Sequence, residues 1–432
     1  VNNLLANIQR LITSILLILI GGFLGYNLGV NGYDVHLLKS VKPVEITNKN
    51  PEYVDSIDFS RFWVVWEQIN KDHIARPFNP NDLVDGAIKG LVESVGDPYS
   101  VYLTTKENAE THDSLNGRYQ GVGAQLGFDD SERLMIVTPL DDSPAERAGV
   151  RAGDLIVSIS GKDTAGYSIQ KAINLIRGEA GTAINLSLYR EGSDKPFDVS
   201  IKRETIILES VKWEDKGNGI VYIRLSRFGA DTNDAWKKAV NEITAQMPNL
   251  SGIVLDVRNN PGGYLDSSVV VGSEFVSSGN IVVEDFSDGS TNPFKSLSGG
   301  KFTDKKIPVM VLINGGSASA AEIVAGALKE SRDALLVGDR SFGKGTVQKS
   351  EEYQDGAALH VSVAKWLTPD GNWVNKHNSD LSDSVYNEKL EGEDDLIGGL
   401  KPDYQVDITE DDIINEKDPQ LEKAIELLSS EK

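Results

Sequence analysis

The chain of 432 residues contains no cysteine. That absence removes disulfides, thiol nucleophiles and cysteine-based metal sites together, and leaves the compartment open. Histidine is scarce too, with five in the whole chain. No two of them form an H-E-x-x-H pair, so the common zinc-protease pattern is missing. His36 stands in a polar linker, His73 at the end of a helical stretch, His112 before a β-rich unit and His377 in a polar loop. Only His360, in ALHVSVAKWL, belongs to an apolar strand, where it reads as a packed or surface side chain. Positive charge is in deficit: 43 Lys and Arg stand against 65 Asp and Glu, a net charge of -22. An excess of that size repels phosphates and anionic headgroups, which argues against nucleic acid and against a membrane partner other than through an inserted anchor.

What is present suffices for two or three globular domains, since 40% of the residues are hydrophobic and 25% charged. Residues 11–30, LITSILLILIGGFLGYNLGV, carry no charge, and at about 1.5 Å per residue they are long enough to cross a bilayer. Arg10 precedes the run and Asp34 follows it. The positive-inside tendency then leaves residues 1–10 in the cytoplasm and the rest on the extracytoplasmic side, periplasm or cell exterior. The run is long for a signal-peptide core and no A-x-A site follows, so an uncleaved signal anchor is expected. Residues 31–58 read as a linker. Residues 59–116 are helical in pattern, with Phe62, Trp63 and Trp66 as core or dimer-surface aromatics, and they include the turn Asp97-Pro98-Tyr99-Ser100.

From 117 to 204 the strand-like runs GRYQGVGAQLGF, RLMIVTPL, AGDLIVSISG, TAINLSLYR and PFDVSIKR alternate with two helical ones, SPAERAG and SIQKAINLIRG. Residues 205–380 then alternate β and α: GIVYIRLSRF, TNDAWKKAVNEITAQM, GIVLDVR, and a helix through Val271. That order predicts an α/β sheet with helical cover. GIVLDVR runs into Asn259-Asn260-Pro261-Gly262-Gly263, where paired glycines let backbone N–H groups approach a ligand or simply make a tight turn. Residues 381–432 complete the core and end in an amphipathic helix, DPQLEKAIELLSS.

The stretch from 308 to 348 concentrates the chemistry. PVMVLI is a short β-branched strand, Asn314-Gly315-Gly316 a tight turn, and the spacing from Ala318 is helical. ALLVG is a second strand, and SFGKG puts Lys344 at a loop tip before TVQ becomes extended. Ser319 and Glu322 have capping-box spacing, so Ser319 reads either as a helix N-cap or as a nucleophile. A serine nucleophile needs a base; a lysine serves if burial lowers its pKa from about 10.4 to about 7 to 8. Gln348, four residues on, carries an amide able to accept a hydrogen bond from that amine. Gly338 to Gly345, GDRSFGKG, also matches most of a P-loop, but glycine occupies the Mg²⁺-binding hydroxyl position and a strand follows where a helix is required.

NGGSASAAEIVAGALKE followed by GDRSFGKGTVQ closely resembles the C-terminal processing peptidases, the tail-specific proteases. The resemblance covers roughly residues 59–428 and includes the D-P-Y-S segment. It implies Ser319 as nucleophile, Lys344 as general base and Gln348 as the residue that positions it, with Ser317 non-catalytic. It further implies an oxyanion hole from Ala320 and one of Gly262 and Gly263. Residues 117–204, with AGVRAGDLI at their centre, resemble a PDZ domain, and this implies capture of a peptide C-terminus by strand addition, its carboxylate received near Gly121, Val122, Gly123 and Ala124. The expected fold is α+β and multidomain: an α/β protease core of crotonase/ClpP-like type, an inserted β-rich PDZ domain and an N-terminal transmembrane helix. The expected partners are apolar protein C-terminal tails, the membrane through the anchor and a second copy in a homodimer, with no metal or other cofactor. The polar stretch 376–399 is longer than the family's usual connection. Two other readings stay open, a catalytically inactive PDZ-containing peptide-binding scaffold and a P-loop NTPase.

Overall fold

The computed structural model describes residues 58–129, 131–140, 142–375, 398–409 and 417–430, with Asp412 and Asn415 between the last two stretches. The expected anchor at 11–30, and His36 and His377, lie outside the described residues. Among those described, no helix is long and apolar enough to cross a membrane. The chain divides into two compact units, up to Leu83 and from Val84 onward.

The first unit contains helix α1 (Ser60–Asp72) and the start of α2 (Pro80–Glu93). The aromatic residues of α1 stack on one another, with Phe62 and Trp66 rings 6.1 Å apart. Among the described residues they enter no core: Phe62 is 38% and Trp63 48% exposed. The core reading of these side chains is therefore corrected among the described residues, because the i, i+4 pair Phe62 and Trp66 cover each other without a partner layer.

In the second unit, α2 continues to a turn, strand β1 (Val101–Leu103) and helix α3 (Thr105–Leu115). The β-rich unit follows: β2 (Arg118–Gly121), β3 (Ala124–Phe128), β4 (Leu134–Pro139), α4 (Pro144–Arg147), β5 (Leu155–Ile159), β6 (Lys162–Asp163), α5 (Ile169–Ile176), β7 (Ala183–Tyr189), β8 (Phe197–Lys202) and β9 (Glu204–Ile207). The run GRYQGVGAQLGF is two strands and not one. Gly123 has a left-handed φ of +75°, and the Val122 and Gly123 carbonyls accept from Ala145 and Leu140 N–H at 2.8 and 2.9 Å, so the run bends there. β2 pairs with β9 in a separate ribbon that closes the base of the unit, while β3 is the edge of the sheet β3-β4-β5-β7-β8. Alternating residues of that sheet, Ile136, Ile156, Ile184 and Leu186 among them, bury against α4 and α5.

The remaining elements are β10 (Val211–Asp215), β11 (Ile220–Leu225), α6 (Thr232–Gln246), β12 (Gly252–Asp256), α7 (Leu265–Phe275), β13 (Asn280–Phe286), β14 (Thr291–Lys295), β15 (Val309–Ile313), α8 (Ala320–Arg332), β16 (Leu335–Gly338), β17 (Thr346–Glu352), β18 (Ala358–Leu367), β19 (Tyr404–Gln405) and α9 (Pro419–Ser430). Strand order in the principal sheet is β10-β11-β12-β15-β16-β19, parallel from β11 onward. Every residue of β12 and β15 is buried, as two-sided cover requires. The period of two sorts them: Ile253, Leu255, Val309 and Val311 face α6, α7 and α8, and Val254, Met310 and Leu312 face α9. A second, antiparallel sheet, β1-β18-β13-β14 with β17 paired to β18, covers the other side of α7 and α8 through Ile281, Val282, Ile323 and Trp366.

The terminal helix spends its apolar face inside the chain, with Ala424 and Leu428 buried on the principal sheet, and that buried face is not available to a second copy. Arg258, at the end of β12, bridges Asp256 at 2.6 Å and Asp418, just ahead of α9, at 2.7 Å. Leu428 is 1% exposed and seats on Gly252, where a Cβ would come within 2.9 Å of it. Leu428→Ala is expected to cost about 2 to 4 kcal/mol in a urea titration; a loss below about 1 kcal/mol would mean that the helix does not hold the sheet.

Candidate active site

Three parallel strands, β12, β15 and β16, end side by side, and the turns that leave them form the site, as expected at the carboxyl edge of an α/β sheet. The first turn is Arg258 to Gly263. Asn260 is fully buried, donates from Nδ2 to Leu225 C=O at 2.9 Å and accepts the Gly262 N–H at 2.9 Å. Asn259 and Asn314 stitch this turn to the second one, Asn259 N–H to Asn314 Oδ1 at 2.8 Å and Asn314 Nδ2 to Asn259 Oδ1 at 3.0 Å.

The second turn contains both candidate serines, and their surroundings separate them. Ser317 is buried, donates to Val257 C=O at 2.8 Å and accepts Asn314 N–H at 3.0 Å. Its hydroxyl is a structural tie. Ser319 is partly accessible and stands at the head of α8 with φ 54° and ψ -116°, a conformation that costs a non-glycine residue of order 1–3 kcal/mol and persists only where neighbours enforce it. Both partners of the capping box are in place, yet the close hydrogen bond is only the reverse one, Ser319 N–H to Glu322 Oε2 at 2.8 Å. The Ser319 side chain makes no cap bond, and is left for other chemistry.

Gly262 explains why a glycine is needed beside this serine: at φ +93°, a Cβ there would lie 2.9 Å from Ser319 Cβ and 3.0 Å from Ala320 N. Gly262 N–H is committed to Asn260, and the bridge to Phe228 uses Gly262 C=O and Tyr264 N–H, leaving Gly263 N–H outside the ladder. Ala320 is the first residue of α8, so its N–H has no acceptor within the helix.

The third turn, Ser341 to Lys344, is bound to the second through one carboxylate. Glu322, 1% exposed, accepts Ser341 Oγ–H and Gly343 N–H on Oε1 at 2.6 and 2.7 Å, and Ser319 N–H and Lys344 N–H on Oε2 at 2.8 and 2.9 Å. Burial pushes its pKa up and the four donors pull against that. Phe342 N–H adds a bond to Ser317 C=O at 2.9 Å. Lys344 is brought to the same cleft, with Nζ 5.4 Å from the Tyr99 ring centre. Burial lowers its pKa, against the charges of Asp97 and Glu322.

Ser319 and Lys344 are thus joined through backbone and Glu322; among the described residues their side chains form no hydrogen bond with each other, a looseness common before substrate tightens a site. Gln348 donates both amide hydrogens, to Thr346 Oγ1 at 2.8 Å and Ser362 Oγ at 3.1 Å, which leaves its carbonyl oxygen as the acceptor. His360 pairs with Ser350 at 3.2 Å, and burial, then the charges of His112 and Lys344, hold its pKa low. Gly121 to Ala124 form the bend between β2 and β3. A cavity of about 730 Å³ opens near that bend, among Lys106, Asp113, Arg118, Gln120, Arg177 and Glu179.

In the sequence Glu322 reads only as a capping partner, Asn260 and Asn314 only as turn residues and Ser341 as a loop residue; the S-x-x-E spacing is the one signal that points to Glu322. Among the described residues no cluster of metal-ligating side chains occurs. Glu322→Gln replaces an acceptor with a donor facing N–H or O–H groups, and is expected to lower unfolding stability by about 1 to 3 kcal/mol. An unchanged denaturation midpoint would show that the four bonds do not hold the turns.

Comparison with known proteins finds three family descriptions along the chain: Activating protease CtpB N-terminal domain at residues 24–107, PDZ domain at 135–190 and Peptidase family S41 at 219–382. The carboxy-terminal processing protease CtpA of Bacillus subtilis is 39% identical over 319 residues, 74% of this chain and 67% of that protein. CtpB of the same organism is 38% identical over 315 residues, 72% and 64%, and the carboxy-terminal-processing protease of Bartonella bacilliformis 38% over 314, 72% and 71%. The chain therefore spans roughly two thirds of these relatives' length. A putative S41 protease from Bacteroides fragilis of known structure shares the fold, with a TM-score of 0.56 at 18% identity, covering 89% of this chain and 100% of that one.

Proposed function

The chain belongs to the C-terminal processing peptidases of family S41 and is a serine-type peptidase with a PDZ domain; we propose that Ser319 is its nucleophile and Lys344 its general base. The observation that carries this reading is the Glu322 carboxylate, which ties the backbone of Ser319 to that of Lys344, together with the engagement of Ser317 as a structural tie.

In the proposed reaction, neutral Lys344 takes the proton of Ser319 Oγ as that oxygen bonds to the substrate carbonyl carbon. The carbonyl oxygen, now negative, accepts from Ala320 N–H and Gly263 N–H, reinforced by the positive end of α8. The Lys344 ammonium then gives its proton to the leaving amine, and the peptide bond breaks with the acyl group on Ser319. Water then gives a proton to Lys344 as its oxygen bonds to the acyl carbon; the bond to Ser319 Oγ breaks, Oγ takes the proton back from the ammonium, and the acid leaves with serine and neutral lysine restored. Gln348, its amide hydrogens held by Thr346 and Ser362, turns its carbonyl oxygen to the amine. No metal, nucleotide or other cofactor enters these steps.

The substrate is an apolar protein C-terminal tail added as a strand along β3, which is a sheet edge, with its carboxylate at Gly121 to Ala124. Residues 11–30 anchor the enzyme so that the catalytic unit lies on the extracytoplasmic side, and the exposed aromatic face of α1 fits a homodimer contact.

The test is cleavage of an unfolded protein with an apolar C-terminus by the full chain in mild detergent, without ATP, beside Ser319→Ala and Lys344→Ala. Each variant is expected to lose at least about 10³-fold in kcat. Because burial lowers the Lys344 pKa from its ordinary 10.5, and the base works neutral, kcat/KM is expected to rise with pH along a limb below that value. Full activity in Ser319→Ala would overturn the mechanism. Retained tail binding with no cleavage by the unmodified chain would turn the reading to a peptide-binding scaffold.

A further inference from the structure

The turn Asp97-Pro98-Tyr99-Ser100 lies more than 200 residues before the serine in sequence, yet it meets Lys344 in space. Lys344 Nζ sits 5.4 Å from the Tyr99 ring centre, within the range in which a ring face attracts a cation. Asp97 is held by its own turn, accepting Tyr99 N–H on Oδ1 at 3.0 Å and Ser100 Oγ–H on Oδ2 at 2.6 Å. Ser100 is buried, and its Oγ accepts Ser362 N–H at 3.1 Å from β18. Ser362 Oγ in turn accepts the Gln348 amide at 3.1 Å. A continuous track thus runs from the Asp97 carboxylate to Gln348 and encloses the lysine. The charged and titratable groups facing Lys344 are Asp97 and Tyr99 from the turn, Glu322 from α8 and His360 from β18; behind His360 stands His112 of α3, 3.9 Å from Glu352 of β17.

We infer that the Asp97–Ser100 turn is the positioning element of the lysine: Asp97 and the Tyr99 ring stabilise the ammonium that forms when Lys344 takes the serine proton, and Ser100 fixes their geometry through Ser362. The reason is electrostatic. A buried amine is easily kept neutral, but it then becomes a poor resting place for a proton in the transition state. A carboxylate held in its own turn and a π face 5.4 Å from the amine offset that, much as a third residue supports the base of a triad. The inference rests on the Ser319/Lys344 reading.

The experiment is the pH profile of kcat and KM for the full chain and for Lys344→Ala, Asp97→Asn, Ser100→Ala, Tyr99→Phe and Tyr99→Leu, each checked for folding by its melting curve. Asp97→Asn removes a charge that favours the ammonium. Its acid limb is expected about half a pH unit or more lower, and its plateau kcat about tenfold lower. Ser100→Ala removes the tie that places the Asp97 carboxylate, and its limb is expected to move the same way, to lower pH, by less than that of Asp97→Asn. Tyr99→Leu is expected to lose about tenfold in kcat with KM within about twofold, and Tyr99→Phe to stay within about threefold of the unmodified enzyme. A turn that merely held the fold would lower stability or kcat without moving either limb. Limbs that coincide with the unmodified one, or that move to higher pH, overturn the inference while an inactive Lys344→Ala leaves the dyad standing. An active Lys344→Ala overturns both. If Asp97→Asn melts below the assay temperature, the direction of the Ser100→Ala limb decides alone.

Discussion

Glu322 accepts hydrogen bonds from four donors, out of contact with solvent, and the geometry of the site depends on that carboxylate. A buried carboxylate is costly unless its lone pairs are filled. Here they are filled by three backbone N–H groups and one hydroxyl from two turns, one carrying Ser319 and the other Ser341 to Lys344. The position of Glu322 in the first turn of α8 adds the favourable end of the helix dipole. Because Ser319 N–H is one of the four, the carboxylate also enforces the left-handed backbone of the serine. Strain at the serine and charge burial at the glutamate therefore sustain each other.

The sheet makes this arrangement possible. Parallel strands buried on both faces deliver three turns to one edge, and the Asn259–Asn314 pair registers the first turn against the second. Arg258 at one end and Leu428 at another tie α9 to the same strands. With the backbone of the three turns fixed, Gly262 can pack against Ser319 at a distance that no side chain would permit.

Much of this was legible in the sequence where local pattern decides. The strand, turn and helix of 308–332, the loop carrying Lys344 and the β/α order of the core follow from periodicity and glycine placement, and the motifs place the serine and the lysine. What was not legible depends on long-range contact. The second sheet joins β1 to β18 and β17, so that the D-P-Y-S turn reaches the lysine, and no local signal announces pairings across some 250 residues. The roles of Gly262 and Gly263 separate only when Asn260 is seen to take one N–H. Ser317 and Ser319 flank the same alanine, Ala318, and differ in that one hydroxyl reaches Val257 C=O. The aromatic cluster of α1 has the pattern of a buried face and yet lies exposed, since periodicity reports which side chains share a face and not what covers it.

The central claim is that Ser319 is a nucleophile because Lys344 makes it one. The most direct measurement is covalent labelling by a fluorophosphonate, with the modified residue identified by peptide mass mapping and the rate compared with that of Lys344→Ala. The account predicts a single label on Ser319, none on Ser317, and a rate that collapses without the lysine amine. A label on Ser317, or an equal rate in Lys344→Ala, would contradict it.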